Sequence, residues 1–331
     1  MSPSLEAKDF TTAQEVRWCP GCGDYAVLKS VTQALADIGA KPESTVFVSG
    51  IGCAARFPYY VNTYGFHTIH GRAPAIATGL KLAQPDLDVW VVTGDGDGLS
   101  ISGNHLLHAL RRNVGIRLLL FNNEIYGLTK GQYSPTARQG TVSASSPSGS
   151  VDTPLSAGRF ALGAGAQFYA RAIDTDKVGL GRVLKAASAF DGASMTEIFQ
   201  NCIVYNNEVF ADFTRRDSAA DSQLRLEHGE PMLFGENGEK GICLNPDSLE
   251  LEVIDAAANP ELVMRHDETN RVKAQMLVEL ESPVALGVIY RNPGMQTFEQ
   301  SWHGNGAGAL QRSRCVKDLL CGSKSWTVGE D

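Results

Sequence analysis

The chain reads as an α/β protein built on a doubly wound, mostly parallel sheet. Three observations predict this. Short β-branched and aromatic runs alternate with amphipathic helical segments as far as Gln200. The runs 87–93 and 116–121 are apolar almost throughout, as strands buried on both faces are. Between them lies one segment of helical periodicity, the crossover that joins two parallel neighbours.

Taken in order, residues 28–38 carry apolar positions at helical spacing, and Ile38-Gly39 suits a helix end. Thr45–Ser49 is β-branched and aromatic, hence a strand. Residues 74–82 read as a helix with proline in its first turn. The strand at 87–93, the helix at 104–112 and the strand at 116–121 follow, with Leu106, Leu107 and Leu110 on the helix's apolar face. Phe168–Ile173 is a third buried strand, residues 176–189 a helix capped by Asp174 or Thr175, and Ser194–Phe199 a last strand before Cys202. Residues 133–156 are rich in Ser, Thr, Gly and Pro and form a loop, long enough to be functional or mobile. Beyond Asn206 periodicity weakens; one helix within 260–280 and a strand at 283–291 remain visible. The expected organisation is a core domain, 1–205, and a C-terminal extension, 206–331, packed on the core or on a partner.

The chain has 331 residues, 43% hydrophobic and 20% charged, which is ordinary for a globular protein. A net charge of −8 gives no reason to expect nucleic acid as a partner. No apolar stretch approaches the roughly 20 residues of a membrane span, and residues 1–10 lack the apolar core of a signal peptide. The expectation is a cytoplasmic protein without membrane contact. Seven cysteines, an odd number, argue against a disulfide framework. Cys243, Cys315 and Cys321 read as small buried apolar residues.

Gly94-Asp95-Gly96-Asp97 ends one buried strand and Asn122-Asn123 ends the next. Both motifs fall at strand carboxyl ends, where open α/β sheets bind ligands. Glycines beside Asp95 allow close approach of backbone to a ligand, and the following helix start offers free N–H groups to a diphosphate. The Asp95 carboxylate, the Asn123 carbonyl and the backbone carbonyl of Ile125 make a hard-oxygen set suited to Mg²⁺. Tyr126, Gly127, Leu128 and Thr129 would wrap the phosphates. Each motif alone is a common turn; their joint placement is the signal. Reading Asp95 and Asp97 as ligands of a calcium loop puts Leu99 and Leu106 where oxygens belong. No Rossmann fingerprint or P-loop is present.

Cys19-x-x-Cys22 alone fits zinc, a redox pair or a turn with two buried thiols. Cys53 follows the strand Thr45–Ser49 and Cys202 follows Ser194–Phe199, so both fall at the same sheet edge as Asp95 and Asn123. Four thiolates converging there could hold a 4Fe–4S cluster or a zinc ion. Arg56 and Lys130 are candidate cations for substrate carboxylates, against ordinary solvated charge. His70 is a candidate cofactor contact, with a structural histidine as the alternative.

Together these segments resemble the β subunit of 2-oxoacid:ferredoxin oxidoreductases. The resemblance rests on Trp18-Cys19-Pro20-Gly21-Cys22-Gly23, Gly50-Ile51-Gly52-Cys53, His70-Gly71-Arg72-Ala73, Gly94-Asp95-Gly96, Asn122-Asn123 and Tyr126-Gly127-Leu128-Thr129-Lys130-Gly131-Gln132, in that order. It implies a thiamine diphosphate-binding fold, with Asp95, Asn123 and the Ile125 carbonyl on Mg²⁺. Ile51, Gly52, Cys53, His70, Gly96, Asp97 and Thr129 would line the thiamine cofactor. It assigns one 4Fe–4S cluster to Cys19, Cys22, Cys53 and Cys202. Oxidative decarboxylation releases two electrons, which a one-electron carrier can remove stepwise; zinc has no redox chemistry.

The implied reaction converts 2-oxoglutarate, coenzyme A and oxidised ferredoxin to succinyl-CoA, CO₂ and reduced ferredoxin, and a low-potential donor could reverse it. Lysine at position 130 resembles the 2-oxoglutarate branch and glycine the pyruvate branch. Thiamine enzymes need a glutamate at the pyrimidine ring, and no glutamate here sits in a recognisable place for it. An α subunit is therefore the expected partner, in a heterodimer or a dimer of heterodimers. The competing readings are a pyruvate or broad 2-oxoacid oxidoreductase, a non-redox thiamine lyase or decarboxylase, and a zinc-stabilised subunit without catalysis.

Overall fold

The computed structural model describes residues 5–304 and Trp326. Cys315 and Cys321, read from the sequence as buried apolar residues, lie outside the described residues.

In chain order the strands are β1 (Thr45–Ser49), β2 (Tyr64–His67), β3 (Asp88–Gly94), β4 (Ile116–Asn122), β5 (Ile125–Tyr126), β6 (Gln132–Tyr133), β7 (Phe168–Ile173), β8 (Ser194–Phe199), β9 (Gln223–Arg225), β10 (Leu233–Phe234), β11 (Lys240–Leu244), β12 (Leu251–Asp255) and β13 (Val284–Arg291). The helices are α1 (Asp24–Asp37), α2 (Ala73–Ala83), α3 (Gly103–Arg111), α4 (Ala157–Gly163), α5 (Lys177–Ala189), the single turns α6 (Ala211–Thr214) and α7 (Ala219–Ser222), α8 (Arg271–Glu279) and α9 (Phe298–Gly304).

The main sheet runs β2-β1-β3-β4-β8-β7-β13-β9. From β2 to β7 every pairing is parallel. β13 then enters antiparallel to β7 and carries β9 parallel to itself. Both come from beyond residue 205, so the C-terminal part of the chain completes the sheet. A smaller antiparallel sheet, β10-β11-β12, is not hydrogen-bonded to it but packs on the same core through Phe234 and Ile242.

Both faces are covered, which is why the central strands are apolar throughout. Val89, Val91, Leu118 and Leu120 turn to one face and pack with Ala77 of α2 and Leu106 and Leu110 of α3. Trp90, Val92, Leu119 and Phe121 turn to the other and pack with Val27 and Val31 of α1 and Leu180 and Leu184 of α5. Trp90 is wholly buried, and its indole N–H donates to Asp88 Oδ2 at 2.7 Å. Truncating such a ring costs about 3–5 kcal/mol.

The doubly wound sheet and the crossover helix between β3 and β4 are as the sequence predicts. Differences lie in details. The helix expected at 176–189 is capped by neither Asp174 nor Thr175; Asp176 is the cap and accepts the Gly179 N–H at 2.9 Å. Asp174 is occupied instead by the Asn201 N–H at 2.9 Å. The helix expected within 260–280 is confined to α8, where the Asn270 side chain caps Val272 and Lys273. Strand β2, unanticipated in the sequence, is an edge strand with all four residues exposed, so no burial period marks it.

Candidate functional site

Parallel strands bring their carboxyl ends to one edge, and the loops leaving β1, β3, β4 and β8 meet there. Two adjoining cavities result. The first, about 120 Å³, is lined by Ile51, Gly52, Cys53 and His70 from the loops after β1 and β2, by Gly94, Asp95, Gly96 and Asp97 after β3, and by Asn123, Ile125, Tyr126, Gly127, Leu128 and Thr129 after β4. All fourteen residues the sequence nominates for the cofactor therefore face one cleft.

Asp95 is 1% exposed. Its Oδ2 accepts the hydroxyls of Ser134 at 2.5 Å and Thr136 at 2.6 Å. Burial pushes its carboxyl up, while these hydroxyls and the neighbouring backbone N–H groups pull it back down. Both side-chain donors converge on one oxygen, and among the described residues none reaches Oδ1. Thr136 also lies 3.0 Å from Asn122 Oδ1, and Asn122 Nδ2 donates to Glu197 at 2.8 Å. Glu197 is ion-paired with buried Arg171 at 2.9 Å. Ser134 and Thr136 thus fix the orientation of the Asp95 carboxylate. Asn123 Oδ1 accepts the Ile125 N–H at 3.2 Å and keeps a second lone pair. These hard oxygens around a buried carboxylate fit Mg²⁺.

Asp97 has a different part. Its Oδ1 accepts the N–H groups of Ile51 and Gly71, at 3.2 and 2.7 Å, and faces His70 Nδ1 at 2.5 Å. Its Oδ2 accepts the Thr93 hydroxyl at 2.8 Å. The carboxylate ties the loops after β1 and β2 to the end of β3. His70 is thereby both a lining residue and a structural one. His67 is structural, with Ala55 O at 2.9 Å.

Gly96 lines the cleft and also makes room for a neighbouring ring. A Cβ there would lie 2.2 Å from the Tyr126 ring, whose hydroxyl donates to Gly96 O at 2.9 Å. Helical backbone begins at Asp95 itself and passes through a five-residue π-helical turn, Asp97–Ile101, before α3.

The second cavity, about 220 Å³, holds Cys19, Cys22, Cys53 and Cys202 together with Arg17, Arg56, Lys130 and Gln200. Cys53, Asn123, Gly127 and Leu128 line both cavities. A Cβ built on Gly127 would lie 3.5 Å from Cys202 Sγ and 3.6 Å from Cys53 Sγ, so this backbone passes directly against the thiols. Gly23 lets the Cys19-x-x-Cys22 turn approach β8: a Cβ there would fall 2.0 Å from Asp174 Oδ2.

All four thiols are free. Burial, and then the charge of Asp24, push the Cys53 thiol up to about 12; Arg56 pulls against this. Cys22 is raised further by the same two causes. Such thiols ionise when a metal takes the proton's place. Among the described residues no three His, Cys, Asp or Glu side chains are arranged to chelate a single ion. The four cysteines line one cavity, and thiolates gathered there fit a 4Fe–4S cluster or a zinc ion. Arg56 and Lys130, nominated for substrate, line this cavity and not the first; Arg56 also donates to Arg17 O at 3.2 Å. Cys243 is buried in β11, as the sequence predicts.

Ser134, Thr136 and Gln200 were not legible as site residues. The first two lie in a Ser/Thr-rich loop where nothing distinguishes them. Gln200 had one signal, a polar residue directly after a buried strand.

Residues 50–198 match the family model described as thiamine pyrophosphate enzyme, C-terminal TPP binding domain. The 2-oxoglutarate oxidoreductase subunit KorB of Mycobacterium tuberculosis is 47% identical, over 98% of this chain and 88% of that protein. The 2-oxoglutarate synthase subunit KorB of Methanothermobacter thermautotrophicus is 36% identical over 72% of this chain and 80% of that protein. Among solved structures, the 2-oxoglutarate:ferredoxin oxidoreductase from Magnetococcus marinus, with 2-oxoglutarate, coenzyme A and succinyl-CoA bound, matches with a TM-score of 0.75. That match is 30% identical and covers 97% of each chain.

Proposed function

The chain belongs to the β-subunit family of 2-oxoacid:ferredoxin oxidoreductases, and from this we propose that, with an α subunit, it carries out the CoA-dependent oxidative decarboxylation of 2-oxoglutarate. One 2-oxoglutarate and one coenzyme A give succinyl-CoA, CO₂ and a proton, while two electrons pass singly to two oxidised ferredoxins. Residues 1–205 form the cofactor-binding core and 206–331 the extension, whose strands β9 and β13 complete the sheet.

Thiamine diphosphate supplies the chemistry that releases CO₂, and a 4Fe–4S cluster supplies one-electron transfer. Asp95, Asn123 and the Ile125 carbonyl hold Mg²⁺, and residues 126–129 enclose the diphosphate. Cys19, Cys22, Cys53 and Cys202 hold the cluster. Arg56 and Lys130 take the substrate carboxylates. The observation that carries this reading is Cys53: it lines both cavities, so the two cofactors share a wall.

No glutamate lines the cleft among the described residues. We assign the pyrimidine-activating carboxylate to the α subunit. Ile69, next to His70 in the chain, and Tyr64 on edge strand β2 are 72% and 64% exposed, and Phe66 of the same strand is exposed too. An apolar edge next to the cleft is what a partner subunit would cover. Among the described residues no helix is long and apolar enough to cross a membrane; we place the complex in the cytoplasm, as a heterodimer or a dimer of heterodimers.

The test is reconstitution. The αβ complex, loaded anaerobically with thiamine diphosphate and Mg²⁺, should reduce ferredoxin only when 2-oxoglutarate and coenzyme A are both present. CoA-independent turnover, or a preference for pyruvate, would overturn the assignment.

A further inference from the structure

Gln200 follows β8 directly and is 0% exposed. Its backbone N–H donates to Asn122 O at 2.8 Å, which sets the residue against the end of β4. Its side chain reaches two ways. Oε1 accepts the Asn123 Nδ2–H at 2.7 Å. Nε2 donates to Asn201 O at 2.6 Å and lies 3.4 Å from Cys22 Sγ.

The network fixes which end is which. Asn123 Oδ1 accepts from the Ile125 N–H, so its NH₂ must face Gln200. Gln200 therefore meets Asn123 with its oxygen. Its nitrogen then faces the sulfur, with one hydrogen for Asn201 and the other for Cys22.

We propose that Gln200 is a positioning residue that ties the metal-binding end of the cofactor cleft to the cysteine cavity, holding Asn123 with its carbonyl while donating an N–H to the Cys22 sulfur. This rests on the reading that Asn123 serves Mg²⁺ and that Cys22 serves the cluster. Two consequences follow from one amide. An N–H···S bond favours the more negative sulfur, hence the reduced cluster, so it raises the cluster's reduction potential. Anchoring Asn123 presents its Oδ1 to the cation; loss of such a support weakens metal binding about 10- to 100-fold. A buried amide with both ends engaged also cannot turn without breaking a bond to each site, so the two sites are held in register.

Two variants separate these effects in the αβ complex. Gln200→Glu keeps an acceptor for Asn123 and places a carboxylate against the sulfur. Gln200→Met keeps the volume and removes both interactions. Gln200→Glu should retain Mg²⁺-dependent thiamine diphosphate binding, with a more negative cluster midpoint in an EPR-monitored redox titration. Gln200→Met should show the lower midpoint and, in addition, Mg²⁺ affinity weakened about tenfold or more. In case either variant fails to assemble, unsubstituted protein labelled with ¹⁵N in the glutamine side chains should show a ¹⁵N hyperfine coupling to the reduced cluster. Iron-loaded variants with unchanged midpoints, or a reduced cluster with no such coupling, would overturn the role of Gln200. Unsubstituted protein without any iron–sulfur signal would overturn the cluster reading itself.

Discussion

The carboxylate of Asp97 accepts the backbone N–H of Gly71 at 2.7 Å. Through the same side chain the loops after β1 and β2 are tied to the end of β3, and these loops wall the cofactor cleft. Asp97 is 2% exposed, so water cannot substitute for it. Asp97→Ala should lower stability by about 3 kcal/mol, because it leaves buried donors without an acceptor. A denaturant titration reads the loss, and thiamine diphosphate affinity should fall with it. An unchanged midpoint would show that the loops hold without it.

Replacing any one of Cys19, Cys22, Cys53 or Cys202 with alanine should abolish the broad visible absorbance and most of the bound iron and sulfide. Cys243→Ala, in buried strand β11, should leave both unchanged. Metal and sulfide analysis of anaerobically purified complexes decides this. Zinc without iron in the unsubstituted protein would favour a structural metal.

Lys130 has φ 85 and lines the cysteine cavity with Arg56. Lys130→Gly relieves the left-handed backbone and removes one cation. If Lys130 holds the distal carboxylate of 2-oxoglutarate, kcat/KM for that substrate should fall about tenfold or more, while that for pyruvate holds or rises. Equal losses for both substrates would place Lys130 outside substrate discrimination.

His266, 2% exposed, contributes a pH dependence remote from the cofactors. Burial holds its pKa below the usual histidine value; the backbone carbonyl of Val288 and the charges of Glu268 and Asp267 oppose that, and His228 reinforces it. Below about pH 6.5 the unfolded chain takes a proton that the folded chain does not. Stability from this group is thus present above that pH and lost on acidification. His266→Gln should flatten the slope of unfolding free energy just below about pH 6.5. A slope identical to that of the unsubstituted chain would assign it to other groups.

Much of the cleft was legible because of a geometric rule. Parallel strands put their carboxyl ends at one edge, so residues far apart in sequence but each just past a strand must meet there. That is why Cys53, Asp95, Asn123 and Cys202 could be brought together from strand positions alone. Asp176 shows the limit at short range: three oxygen-bearing residues precede α5, and only packing decides that Asp174 turns to Asn201 and leaves the cap to Asp176. The C-terminal strands show the limit at long range. β9 is three residues long and pairs with a strand some sixty positions away, so no local period announces it.

By itself the sequence determined the fold class, the edge at which the candidate site lies and the chemical kind of each candidate ligand, because periodicity and residue type are local properties. The tertiary structure decided which side chains support those ligands. Ser134 and Thr136 on Asp95, Asp97 on the loops around it, and Gln200 between Asn123 and Cys22 all depend on where backbone from distant segments comes to rest. Hydrogen bonds reach only about 3 Å, so such contacts exist only once packing has placed both partners.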